Sequence, residues 1–170
     1  MLTDEQIEAR AERAKELFMQ GFNCSQSVLA ACCDLYGLDE QMALRVSASF
    51  GGGIARMRHV CGAASGMFML AGLEKGSVTG SAEEKKANYA FVRELSDDFR
   101  NLHGSIICAD LMGITGNSGN SGKPGDSGLS AHYDPTPAPR TEEYYHKRPC
   151  GDIIASAVRL YLKRLRDIQV

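Results

Sequence analysis

Apolar positions recur along most of this chain at the three- and four-residue spacing of amphipathic helices. Thr3 followed by Gln6 is a capping box, and Ala11, Ala14, Leu17 and Phe18 form a stripe that Gly21 ends. Asn23 with Gln26 repeats the start signal for a second helix, predicted from Cys24 to about Tyr36, with Gly37 beyond it. Asp39 caps a third, carrying Met42, Ala43, Val46 and Phe50, before Gly51-Gly52-Gly53 breaks the chain. A fourth helix, from near Cys61 to about Lys75, is apolar on nearly every side, which predicts a central, buried position. Ser81 with Glu84 opens the longest helix, to about Leu102. Its expected core face is Tyr89, Val92, Phe99 and Leu102, and its solvated face Glu83, Lys86, Arg93 and Asp97. Ser105 is the expected cap of a short helix through Met112, with Cys108 near its third position. Pro149-Cys150 opens the last helix, which carries Ile153, Ile154, Ala157, Leu160, Tyr161 and Leu165 and ends in Lys163, Arg164 and Arg166, suited to the negative end of the dipole.

No β pattern of convincing length interrupts this series. The pattern predicts an all-α, single-domain helical bundle of about six helices over residues 1–170, with a long Gly/Ser/Pro-rich loop at about 115–140. In that loop Asn117-Ser118-Gly119 and Asn120-Ser121-Gly122 form a small repeat, followed by Pro124-Gly125 and by Pro135, Pro137 and Pro139. Such a stretch cannot hide a core. It is expected as a mobile insertion, or as an ordered lid or dimer arm pinned by Tyr133, Tyr144 and Tyr145.

Composition narrows the function classes. The chain has 170 residues, 44% hydrophobic and 24% charged, which suits one globular domain with a proper core. A net charge of −2 and the lack of a basic run give no case for nucleic acid. No apolar run reaches the ~18 residues that would span a bilayer, and the acidic, polar N-terminus is unlike a signal peptide. A cytoplasmic location is therefore expected, where structural disulfides are disfavoured. Six cysteines then read as metal-binding, catalytic or buried.

Four of them, Cys24, Cys61, Cys108 and Cys150, are predicted at the starts of four different helices. A helix N-terminus carries about half a positive charge and several unpaired N–H donors, an environment that favours thiolate. The expectation is one polythiol site assembled by the fold. Cys32 and Cys33 fall inside the second helix, and Cys32 shares an apolar face with Val28 and Leu35, so buried packing is expected there. Arg56, Arg58 and His59 precede Cys61; they can depress its pKa, bind an anionic substrate, or form a solvated basic loop. The triple glycine lacks the Gly-Lys-Ser/Thr of a phosphate loop and follows no strand. His103, His132 and His146 are scattered, each a candidate to replace one cysteine as a ligand. Asp34, Asp97, Asp98 and Asp110 show no spacing for paired acid–base work.

The strongest local motif is Cys61-Gly62-Ala63-Ala64-Ser65-Gly66. Gly62 leaves room beside the sulfur, and Gly66 lies four residues on, along the same helical face. Here the chain resembles the C_GCAxxG_C_C family of redox-active proteins with four characteristic cysteines. Cys61 to Gly66 match the central motif, Cys24 the first cysteine, Cys108 the third and Cys150 the fourth; the Gly51-Gly52-Gly53 turn also resembles the family. The resemblance covers nearly the whole chain except about Thr115 to Arg140.

The resemblance implies a redox role without a specific reaction. In a first version, Cys24, Cys61, Cys108 and Cys150 ligate an iron–sulfur cluster or a zinc ion, with backbone N–H groups of Gly62 and Ala63 directed at the centre. In a second, no metal is bound and a dithiol works, with Cys61 as attacking thiolate aided by Arg58 or His59, and Cys24, Cys108 or Cys150 as resolver. A third version is a non-redox small-ligand or metal-sensing module accessory to transport. The bland alternative is four small buried hydrophobes. No Cys-x-x-Cys is present, which counts against both metal and dithiol versions. The cluster-binding electron carrier stands first in this ordering, with an unidentified redox partner and a homodimer through the small-residue helix as further expectations.

Overall fold

The first helix starts where its capping box dictates. In the computed structural model, Thr3 Oγ1 accepts from the Gln6 amide at 3.2 Å and Gln6 Oε1 accepts from the Thr3 amide at 2.9 Å. Asn23 and Gln26 repeat the exchange at 3.0 Å each way. The structure describes residues 2–114 and 135–169. Among them are eight α-helices: α1 (Asp4–Met19), α2 (Cys24–Ala30), α3 (Glu40–Ser47), α4 (Gly62–Lys75), α5 (Ala82–His103), α6 (Cys108–Leu111), α7 (Glu142–Lys147) and α8 (Cys150–Ile168). Two 3-10 turns, Cys33–Tyr36 and Ala48–Phe50, follow α2 and α3. The fold is all-α, and among the described residues no helix is long and apolar enough to cross a membrane.

Helix α4 is buried as its composition requires. It packs on α2, α5 and α8, while α1 lies along α8. Its Ala63, Ala64, Met67, Leu70 and Ala71 are fully enclosed, as are Leu17, Leu29, Leu95, Phe99, Ile154 and Tyr161 from the surrounding helices. The small residues of α4 serve contacts within the chain. A Cβ on Gly66 would stand 2.9 Å from both Ser25 O and Val28 Cβ of α2.

Several expectations are corrected. The second helix ends at Ala30, not near Tyr36. Neither glycine nor proline stops it; side chains take up its final carbonyls. Arg10 Nη1 donates to Ala31 O at 3.0 Å while gripping Asp34 at 2.6 and 2.8 Å, and Cys33 Sγ donates to Ala30 O at 3.3 Å. Cys32 and Cys33 are buried, as expected for Cys32. On α5 the core face is Phe91, Leu95, Ser96 and Phe99; Tyr89 and Leu102, expected inside, are 64% and 57% exposed. Asn88 also faces inward, donating to Ala71 O at 3.2 Å. Ser105 does not cap α6: Ile107 is the N-cap, Cys108 is the first helical residue, and Ser105 Oγ instead accepts from Ile107 N at 3.0 Å.

Of the expected 115–140 loop, residues 115–134 lie outside the described residues, with the Asn-Ser-Gly repeat, His132 and Tyr133. The remainder leads into α7, which the sequence pattern did not predict. There Tyr145 meets Phe18 edge-on at 5.5 Å between ring centroids, and Arg140 lies over Phe18 and Tyr144 at 4.6 and 4.7 Å. Tyr144 and Tyr145 therefore anchor this segment to the end of α1.

Candidate functional site

Each of the four cysteines sits where a helix begins. Cys24 opens α2, Cys61 is the N-cap of α4, Cys108 opens α6 and Cys150 opens α8. All four line one cavity of about 20 Å3, walled also by Gly52, Gly62, Leu111, Met112 and Ile153. That is room for about one water molecule.

Local backbone explains the convergence. Val60 and Ile107 form an antiparallel bridge, with Cys61 N donating to Ile106 O and Cys108 N to His59 O, both at 2.7 Å. This pairing holds the Cys61 and Cys108 segments side by side. Gly62 lets α2 approach: a Cβ there would lie 3.1 Å from Cys24 Cβ and 3.2 Å from Ser25 N. The chain enters the bridge through a left-handed turn, in which Gly52, Gly53, Ile54, Ala55, Arg56 and Arg58 all have positive φ. Side-chain-bearing residues are costly in this region, by roughly 1–2 kcal/mol each. Gly53 could be nothing else, since a Cβ would stand 2.6 Å from Cys108 Cβ and 2.7 Å from His59 N. The turn is closed by amide bonds from Ala55 to Ser49 O at 2.8 Å and from His59 to Gly53 O at 2.9 Å.

The four thiols are not equivalent. Cys24 and Cys150 are partly exposed, while Cys61 and Cys108 are buried. Cys24 and Cys150 are neighbours on the cavity wall, and each shifts the other's ionisation. The neighbouring Cys24 draws the Cys150 thiol below its ordinary value against the opposing effect of burial, with Arg148, Arg140 and Arg58 adding to it. Cys150, followed by burial, holds the Cys24 thiol well above its ordinary value. Burial pushes Cys61 up to about 12, despite N–H groups of Ala64 and Ala63 directed at its sulfur. Burial also raises Cys108, opposed by Arg58, whose Nη1 donates to Cys108 Sγ at 3.7 Å. Arg58 serves Cys108 and Cys150, not Cys61, and His59 lines no part of the cavity. When protonated, Cys150 Sγ donates to Met112 Sδ at 3.6 Å.

A second, wider cavity of about 270 Å3 adjoins the first. Cys24, Gly52, Cys108, Met112 and Cys150 line both; Cys61 lines only the inner one. Arg56, Arg58, Arg140 and Arg148 line the outer cavity, and its described walls carry no carboxylate. Arg140 and Arg148 enter from the segment around α7, which sequence spacing did not connect with the cysteines. The only earlier signal was their place among the residues leading to Cys150.

The donors fit a metal centre in kind. Four thiolates satisfy a tetrahedral zinc ion or an iron–sulfur cluster. Their disposition does not fit. The cavity holds about one water, and among the described residues no group of three or more His, Cys, Asp or Glu is arranged to hold an ion. His103 and His146 line neither cavity.

Over residues 22–163 the chain matches the family model described as "Putative redox-active protein (C_GCAxxG_C_C)". The chain belongs to this family. The match runs from the residue before Asn23 to α8, so all four cysteines fall within it. No curated protein and no solved structure matches the chain.

Proposed function

We propose that this C_GCAxxG_C_C protein exchanges electrons by thiol–disulfide chemistry, with Cys150 as the attacking thiolate and Cys24 as the resolving thiol. The observation that carries this reading is the placing of Cys24 and Cys150 together on the walls of both cavities, where Arg58, Arg140 and Arg148 favour the Cys150 thiolate. A thiolate near pH 7 is a competent nucleophile, and a neighbouring thiol can then displace it from a mixed disulfide. Both residues line the outer cavity, so a partner can approach them from there. Cys61, buried and held protonated, and Cys108, held by Arg58, complete the walls and set the field around the pair.

This reverses the order drawn from sequence, which placed a cluster-binding electron carrier first with Cys61 as the alternative attacker. The metal centre remains the second reading, favoured by the gathering of four thiols on one cavity. One experiment separates them. Protein purified without oxygen is analysed for iron, sulfide and zinc, then treated with one equivalent of a small disulfide and mapped by proteolysis and mass spectrometry. The dithiol reading expects metal-free protein, loss of two thiols, and a Cys24–Cys150 linked peptide. Stoichiometric iron with sulfide, or stoichiometric zinc released only with loss of all four thiols, overturns it in favour of the metal centre.

A further inference from the structure

Arginine pairing is uneven across this molecule. Arg10, Arg13, Arg100, Arg159, Arg164 and Arg166 each form an ion pair with an acidic side chain. The four arginines of the outer cavity form none among the described residues. Each is partly buried. Three buried side-chain nitrogens in the described residues lack any hydrogen-bond partner, namely Nε of Arg56, Nε of Arg58 and Nη1 of Arg140. All three belong to this one cavity. An unpaired buried charge is expensive unless something binds it.

These guanidinium groups are also held in place. Arg56 and Arg58 project from the left-handed turn, whose backbone bonds fix them. Arg140 is stacked on Phe18 and Tyr144 and donates from Nη2 to Phe22 O at 3.2 Å, while Arg148 lies 4.4 Å over the Tyr144 ring. Held guanidinium groups on a wall without a carboxylate suit the oxygens of an oxyanion or carboxylate.

We propose that the outer cavity binds the carboxylate or other oxyanion group of a small acidic disulfide, which is the oxidant of the Cys24–Cys150 pair. This rests on the dithiol reading for the reaction, while the anion site itself stands on the arginines. In the step, the Cys150 thiolate attacks one sulfur of the bound disulfide. A protein–substrate S–S bond forms, the substrate's own S–S bond breaks, and one small thiolate leaves. Cys24 passes its proton to that thiolate and attacks the Cys150 sulfur, expelling the second. Two electrons move from the protein dithiol to the substrate. The products are a Cys24–Cys150 disulfide, one small thiol and one small thiolate.

The test compares three disulfides of similar size on the fully reduced chain: dithiodiglycolate, which is dianionic; bis(2-hydroxyethyl) disulfide, which is neutral; and cystamine, which is dicationic. Rates are corrected by those of a free model thiol. The dianion is expected to react at least about tenfold faster than the neutral disulfide, since each charge-assisted hydrogen bond is worth roughly that factor. Arg56→Gln and Arg140→Gln should each bring that ratio toward one. A parallel arm measures inorganic sulfate binding by calorimetry to the wild type, to the Cys24→Ser/Cys150→Ser double variant and to Arg56→Gln. Sulfate bound by the first two and weakened about tenfold in the third establishes the anion site even where no disulfide reacts, an outcome that removes only the dithiol reading. Equal corrected rates for all three disulfides, with no sulfate bound, overturn the anion site and leave the dithiol reading standing. Arg56→Gln changes a loop residue, and Arg140→Gln a stacked one; agreement between them excludes a folding defect as the cause.

Discussion

Cys24 and Cys150, the first residues of α2 and α8, stand together on the walls of both cavities. Each shifts the other's ionisation in the opposite direction. The asymmetry depends on this neighbour as well as on the surrounding arginines, so each member of the pair can be altered to read the other.

Removing Cys24 should return Cys150 toward an ordinary thiol. In Cys24→Ala the neighbour that most lowers Cys150 is gone. Alkylation of Cys150 by iodoacetamide at pH 7 is expected to slow by about tenfold, from the smaller thiolate fraction, and its pH profile to move up by more than one unit. In the wild type that profile should rise through about pH 7. An unchanged profile in Cys24→Ala would show that arginines alone lower Cys150.

Cys61 should make the protein sensitive to alkali. An unfolded thiol ionises near pH 8.5, whereas burial keeps folded Cys61 protonated to about 12. Between those values the folded state binds more protons, so stability is present below about pH 8.5 and falls as pH rises. Urea midpoints measured from pH 8 to pH 10 are expected to decline, and to decline less steeply in Cys61→Ser. Equal slopes in the two proteins would mean that Cys61 ionises in the fold as it does in the unfolded chain.

Two glycines should respond in opposite directions to the same substitution. Gly53→Ala places a methyl group against Cys108 Cβ and the His59 backbone at positive φ. It should destabilise by more than about 2 kcal/mol and release Cys108 to faster alkylation. Gly72→Ala lies within α4, exposed, with nothing within 4 Å of the new Cβ. It should stabilise by about 0.5–1 kcal/mol through helix propensity. Thermal unfolding of both variants checks the pair.

An acid limb should trace to His103. Burial holds its imidazole below the ordinary range, and Nε2 meets Ser156 Oγ at 2.6 Å. Below about pH 6.5 the unfolded chain takes up a proton that the folded chain does not, so stability falls with acidification. His103→Gln should flatten stability between about pH 5 and 6.5, read by urea titration at half-unit intervals.

Much of this was legible in the residues. Thr3 with Gln6 and Asn23 with Gln26 announced two helix starts through chemistry confined to four residues, and such local signals survive folding unchanged. The four cysteines could be placed at helix starts for the same reason. What sequence could not supply is long-range. The end of α2 depends on Arg10 reaching across from α1. The inner face of α5 was misassigned because Tyr89 and Leu102 are apolar enough to look buried, although Phe91 and Leu95 fit the true stripe. The Val60–Ile107 bridge is a single residue pair, too short to leave an alternating pattern. The meeting of Cys24 and Cys150 joins α2 to α8, and Arg140 and Arg148 reach the cavity from either side of α7, which docks on Phe18.

The left-handed turn between Gly52 and Arg58 gives the molecule a built-in weak point. Four residues with side chains hold positive φ there. Its backbone is poised uphill and kept so by its contacts with the Cys108 segment and the inner wall. Strained backbone of this kind is expected to exchange its amide protons ahead of the helices around it. With such local opening, oxidative damage to Cys61 and Cys108 would track the breathing of this turn, not the melting of the protein.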